Sequence, residues 1–225
     1  MREPDFGWNF TKDDGNAVVR YIEWEELPVN RAEMLRYAGI PLAAAKKGTP
    51  DDLAMQADWA IAQVKGQIVN KIGYLAGNLT WDEDGFPVLP FPQKSEYLKK
   101  NLRGCDRFVM FAATVGAGMD RLIRRYEVSD AAKGVLLQGL GAERVESLAD
   151  AFNKVVSDEA GKCGYKTHPR FSPGFGDLPV TVQKDFLATL DAGRRMGITL
   201  SESCLMAPSK TVTAIIGLEP VVSNE

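Results

Sequence analysis

Arg170-Phe171-Ser172-Pro173-Gly174-Phe175-Gly176-Asp177-Leu178-Pro179 sets a fixed cation just before a proline–glycine corner, and a helical pattern follows. Ser172 to Phe175 fits a β-turn in which Pro173 sets a negative φ and Gly174 supplies the positive φ that a β-carbon would resist. Such a corner lets main chain come close to a ligand, while Arg170 offers a planar donor fork suited to a carboxylate. By itself the corner is more often an ordinary surface turn. Its surroundings decide the reading.

On the C-terminal side, residues 179–196 carry Val182, Phe186 and Leu190 at helical spacing, with Gly197 beyond the expected end. Residues 199–206 and 211–218 are strand-like and joined through Ala207-Pro208-Ser209-Lys210, which predicts a hairpin. On the N-terminal side, Ser129-Asp130 caps a helical region running to Lys162, with a break expected near Gly139 and Gly141. Its inward stripe is Val145, Leu148, Ala149, Phe152 and Val156, and Glu146 and Asp150 stack on one side of it. Arg107 to Val115 is an apolar run of strand length, expected at the centre of a sheet. Gly116-Ala117-Gly118 then opens a helix. It lacks the third glycine and the lysine of a phosphate loop, so nucleotide binding is not expected there.

Further upstream, Ser95 to Gly104 reads as a short helix with a serine cap and a terminating glycine. The segment 78–92 is loop, pinned by Trp81, Phe86 and Phe91. Thr49-Pro50-Asp51-Asp52 starts a helix whose stripe runs through Leu53, Ala57, Ile61, Val64, Ile68, Ile72 and Leu75. Val18 to Trp24 is a short strand with Val18, Arg20, Ile22 and Trp24 on one side. These elements predict an α+β fold with a mainly antiparallel, twisted sheet and flanking helices. Residues 1–95 are expected to form a helical and strand segment packed on the same domain as a core of residues 96–225.

Composition narrows the function. A net charge of −3 over 225 residues offers no basic stripe for nucleic acid, and no apolar run approaches the ~20 residues of a membrane helix. The opening Met1–Trp8 holds an early acid and no apolar segment, unlike a secretory leader. Cys105, Cys163 and Cys204 are widely spaced without a CxxC, so buried reduced thiols and a cytoplasmic location are expected. His168 is the single histidine, and its expected role is structural. Zinc hydrolysis and Ser-His-Asp catalysis lose their usual residues.

The arginine-led corner, followed by Gly197-Ile-Thr-Leu-Ser-Glu-Ser203 and the small-residue strand to Leu218, resembles the activation domain of cobalamin-dependent methionine synthase. In that family the motif runs R-x-(A/S)-P-G-Y, then a helix, then G-x-x-L-(T/S)-E-S. The likeness spans residues 99–218 and extends more loosely to Leu35-Arg36-Tyr37-Ala38-Gly39. It is strongest to the free-standing form of the domain.

The resemblance implies that the chain binds S-adenosylmethionine and presents its methyl group to cobalamin. It places Arg170 on the ligand carboxylate and Asp150, in Leu148-Ala149-Asp150-Ala151-Phe152, on the ammonium. Ser172 and Gly174 occupy corner positions whose main chain approaches the ligand. Phe175 stands where tyrosine is more usual, so its ring can pack but no phenol is present. Glu23 reads either as an N-terminal acid that holds the ligand or as a strand-edge glutamate. Glu202, expected on a strand face with Leu200 and Cys204, either supports Arg170 or faces the corrinoid. The family's longer C-terminal tail has no counterpart before Glu225, so adenine recognition is expected to differ in part.

No D-x-H-x-x-G cobalamin signature occurs, so cobalamin is expected in trans on a cobalamin-binding methionine synthase subunit, with flavodoxin or ferredoxin as electron donor. Two other readings accompany this one. The chain could reactivate a different corrinoid methyltransferase, or act as a non-catalytic docking module of the same fold.

Overall fold

Between its end residues, Arg107–Thr114 (β5) is apolar on both faces, and such a strand needs cover from both sides. In the computed structural model, which describes residues 20–24, 27–40 and 51–221, β5 is the middle of a five-stranded antiparallel sheet. The order is Arg20–Trp24 (β1), Asn70–Asn78 (β2), β5, Thr211–Pro220 (β9) and Tyr165–Thr167 (β6). The sheet therefore takes strands from both sides of residue 95. Two short ribbons flank it: Thr80–Trp81 (β3) with Pro87–Val88 (β4), and Thr199–Leu200 (β7) with Met206–Ala207 (β8).

Alternation along β5 divides the core. Phe108, Met110 and Ala112 pack with Leu98 and Leu102 around Glu96–Asn101 (α3), and with Phe186 and Leu187 of Gln183–Thr189 (α6). Val109, Phe111 and Ala113 face the long helix Ala131–Lys162 (α5) through Leu148, Phe152 and Val156. Phe152 lies 4.9 Å from the Phe111 ring and 5.3 Å from Tyr74, a fully buried aromatic cluster. Burying each such side chain contributes ~1.5–3 kcal/mol, which is why this face organises the fold. A third cluster joins the start of α5 to Arg31–Tyr37 (α1), Asp51–Val64 (α2) and Ala117–Ser129 (α4).

Several expectations change. The helix beginning at Asp51 ends at Val64, and Ile72 and Leu75 belong to β2. β2 is buried on both faces, so its apolar residues continue a helical spacing by coincidence. The expected break at Gly139 is absent, and α5 is continuous. A β-carbon on Gly139 would fall 2.6 Å from the Met34 carbonyl oxygen and 2.7 Å from Ala38 N, so this glycine admits the α1 backbone. The expected hairpin of 199–206 with 211–218 also fails. β7 pairs only with β8, while β9 inserts between β5 and β6. Its residues are buried on both faces, which requires a central place.

The expected helix over 179–196 divides into a 3₁₀ turn at Val180–Val182, then α6 and Ala192–Met196 (α7). Asp191 breaks it in the left-handed region at φ 47°. Within the 78–92 loop, Phe91 is buried and pins the chain, whereas Trp81 is exposed. Val18, the cap at Thr49-Pro50 and the expected side-chain alternation of β1 lie outside the described residues and side chains. Among the described residues, no helix is long and apolar enough to cross a membrane.

The three cysteines are free, Cys105 buried and the others half-buried. Burial pushes the Cys105 thiol up to about 12, with Glu219 and Asp106 adding to it. A raised thiol value stabilises the fold below the unfolded thiol range, and this contribution is lost as pH rises toward 12. Native protein treated with iodoacetamide at pH 8 should therefore be alkylated at Cys163 and Cys204 and spared at Cys105, as mass spectrometry would read. Labelling of Cys105 at a comparable rate would contradict this burial.

Candidate functional site

Main-chain pairing delivers the arginine. After β6, Phe171 makes a two-way bridge with Ile215 of β9, N–H to carbonyl at 2.8 Å in both directions. That contact holds Arg170 at the sheet edge beside α5. Its Nη2 donates to Glu146 Oε2 at 2.7 Å and its Nη1 to Asp150 Oδ1. The two acids stand one helical turn apart, so a single guanidinium spans both. Arg170 and Glu146 side chains keep 29% and 38% of their exposure, while Asp150 keeps 70%. Glu146 is thus the better shielded acid. Two carboxylates against one guanidinium leave a local excess of negative charge.

The corner is closed by its own hydrogen bonds. Phe175 N–H donates to the Ser172 carbonyl at 3.1 Å, Gly174 N–H to Leu178 at 2.8 Å, and Leu178 N–H to Phe175 at 3.0 Å. Gly174 has φ 92°, as the second central position of a type II turn requires. No atom lies within 4 Å of where its β-carbon would be, so the main chain faces open space. Phe175 leaves 68% of its surface exposed at the rim, its ring 6.4 Å from Phe171. The region offers a cation between two acids, bare main chain and an uncovered aromatic ring. That set suits a small zwitterion with an aromatic group.

The remaining expected acids are not partners of Arg170. Glu202 is exposed in the turn between β7 and β8, not on a strand face with apolar neighbours. A five-residue turn separates the paired residues there, which ends the alternation the sequence suggested. Glu23 is exposed on β1, at the opposite edge of the sheet from β6. His168 is held between the Asn101 carbonyl, 2.5 Å from Nδ1, and Glu219, 2.6 Å from Nε2, a structural placement. Glu219's carboxyl is held below its usual range, chiefly by His168 and then by Lys166. Sequence reasoning singled out Asp150 and passed over Glu146. The stacking of the two acids on one side of the helix was the available signal. No group of histidine, cysteine and carboxylate side chains suited to a metal ion occurs among the described residues.

The model of the family described as "Vitamin B12 dependent methionine synthase, activation domain" matches residues 93–223, more than half of the chain. Among solved structures, a crystal structure of the MetH reactivation domain bound to AdoHcy is similar, with a TM-score of 0.64 at 14% identity. The match covers 92% of this chain and 80% of that one, and at this identity it speaks for the fold. No curated protein matches the chain.

Proposed function

This chain belongs to the family of vitamin B12 dependent methionine synthase activation domains, and we propose that it binds S-adenosylmethionine at the Arg170 corner for the reductive methylation of cobalamin. The observation that carries the reading is Arg170 held between Glu146 and Asp150, four residues before a corner whose Gly174 main chain is open. The amino-acid end of the ligand is a carboxylate next to an ammonium. Its carboxylate takes the guanidinium fork, and its ammonium takes an acid released from Arg170, so charge stays paired throughout. Ser172 and Gly174 bring main chain against the ligand, and Phe175 offers its ring to the adenine or to the corrin edge.

Cobalamin, carried by a methionine synthase subunit and reduced by one electron from flavodoxin or ferredoxin, accepts the methyl group. The leaving thioether is neutral and needs no proton, so the work of this chain is to bind, orient and exclude water. The placement of His168 agrees, since both its ring nitrogens are engaged away from the corner. Glu202, exposed on its turn, serves contact with the partner better than support of Arg170, whose partners are Glu146 and Asp150. Glu23, on the far sheet edge, is retained as an acid that a bound ligand or partner would have to reach. The setting is the cytoplasm.

Calorimetric titration with S-adenosylmethionine tests the reading. Saturable binding is expected, with Asp150→Asn and Glu146→Gln each weakening it. The acid that meets the ammonium is identified by an analogue lacking the amino group, whose affinity that variant should leave nearly unchanged. No heat of binding at millimolar ligand would end this assignment.

A further inference from the structure

Helix α3 is gripped at both ends by the chain that flanks the corner. At its start, the Asp177 carboxylate accepts from the Ser95 hydroxyl and from the N–H groups of Glu96 at 2.8 Å and Tyr97 at 3.2 Å. At its end, His168 Nδ1 lies 2.5 Å from the Asn101 carbonyl, and Asn101 Nδ2 donates to the Pro169 carbonyl at 3.0 Å. Gly176 is packed against the Tyr97 ring. Arg170 and Gly174 lie between these two attachments. Leu98 and Leu102 are fully buried and fix α3 to the core, so the helix is a rigid support.

The helix has its own cap without Asp177. Ser95 Oγ already accepts from the Leu98 N–H at 3.0 Å, the usual serine cap. Ser95 satisfies one first-turn donor, and Asp177, reaching in from the loop, takes those of Glu96 and Tyr97, so the bonds that complete the cap also tie the loop to the helix. Loops on a protein surface are ordinarily mobile, and a ligand that must order one loses affinity to that cost.

We propose that Asp177 is a positioning residue for the S-adenosylmethionine site, splinting residues 172–178 onto α3 so that the Gly174 main chain is set before the ligand arrives. The proposal rests on the ligand assignment above. Asp177 acts through the loop that carries it, Oδ1 accepting from the Ser95 hydroxyl and Tyr97 N–H and Oδ2 from Glu96 N–H. Its carboxyl is held below the usual aspartate range, first by the Ser95 hydroxyl, so the anion persists through neutral pH. The grip is lost only in acid, as pH falls through that lowered value.

The test compares the parent chain with Asp177→Ala, Asp177→Asn and the control Asp130→Ala. Asp130 caps α5 through the Lys133 N–H, away from the corner. Without ligand, amide hydrogen exchange at Gly174, Phe175 and Leu178 should be about tenfold faster in Asp177→Ala, with β5 amides unchanged. Its affinity for S-adenosylmethionine should be about tenfold weaker, the scale of a lost cap. Asp177→Asn, which keeps an acceptor, should fall between, and it decides the matter if the alanine variant does not fold. Asp130→Ala should melt earlier and bind as the parent does. Parent-like exchange at the corner, or parent-like affinity in Asp177→Ala, overturns the positioning role. A parent chain that binds no S-adenosylmethionine overturns the ligand assignment instead, and the positioning role with it.

Discussion

Arg170→Ala is expected to weaken S-adenosylmethionine binding by ~2–5 kcal/mol, between about thirtyfold and several thousandfold. Two losses combine. The ligand carboxylate loses a bidentate, charge-assisted partner, and Glu146 and Asp150 lose the cation that separates them. With the guanidinium gone, the two acids hold the ammonium well but repel the carboxylate beside it. Arg170→Lys should recover only part of the affinity, because a point charge cannot span both acids and the ligand. Thermal stability should barely move, since an ion pair this exposed contributes ~0–1 kcal/mol. A large change in affinity with a small change in melting temperature thus separates a binding role from a structural one. Equal affinity of parent and alanine variant would remove Arg170 from the site.

What the sequence revealed follows a physical line. β5 was legible because a run of six apolar residues, Phe108 to Ala113, demands burial on both faces, and α3 because Ser95 is a cap before a helical pattern. Asp130 announced the start of α5 in the same way, and it does accept from Lys133 N–H. The end of α2 was not legible. Ile72 and Leu75 satisfy helical spacing as well as a doubly buried strand, and only pairing with β1 and β5 decides between them. The two glycines that suggested a break in α5 are explained by what packs on them, α1 at Gly139 and the Lys210 stem at Gly141.

The site divides similarly. The Pro173–Gly174 turn is local chemistry and could be read directly. That Glu146 joins Asp150 on Arg170 depends on β6 pairing with the end of β9, a contact between distant segments. Glu202 was misplaced because alternation was assumed to run through a stretch where the chain turns. Asp177 stood in the quoted motif without a role, since its donors belong to residues 95–97.

Arg144→Ala should be among the most destabilising single changes in the chain, costing ~3–5 kcal/mol. Glu143 and Arg144 retain only 2% and 3% of their side-chain exposure. Neighbouring helical residues do not normally face each other, yet here both reach the segment 27–30. Arg144 donates to the Leu27 and Pro28 carbonyls at 2.5 and 2.8 Å and to both oxygens of Glu143 at 2.6 Å. Glu143 also accepts from Asn30 N–H at 2.9 Å and from the Ser147 hydroxyl at 2.7 Å. The network fixes the approach to α1, whose own cap is the Asn30 side chain. Removing the guanidinium strands the buried Glu143 carboxylate and takes the donors from the Leu27 and Pro28 carbonyls. At ~2–4 °C per kcal/mol for a domain of this size, melting should fall by roughly 6–20 °C. Adding Glu143→Gln should recover part of the loss, because it removes the unpaired charge while keeping the acceptor for Asn30. Affinity for S-adenosylmethionine, measured well below the new melting point, should stay within about threefold of the parent, since Arg170 is held by Glu146 and Asp150 rather than by this pair. A melting shift under about 2 °C would mean that water reaches the pair and that the segment 27–30 is held by packing alone.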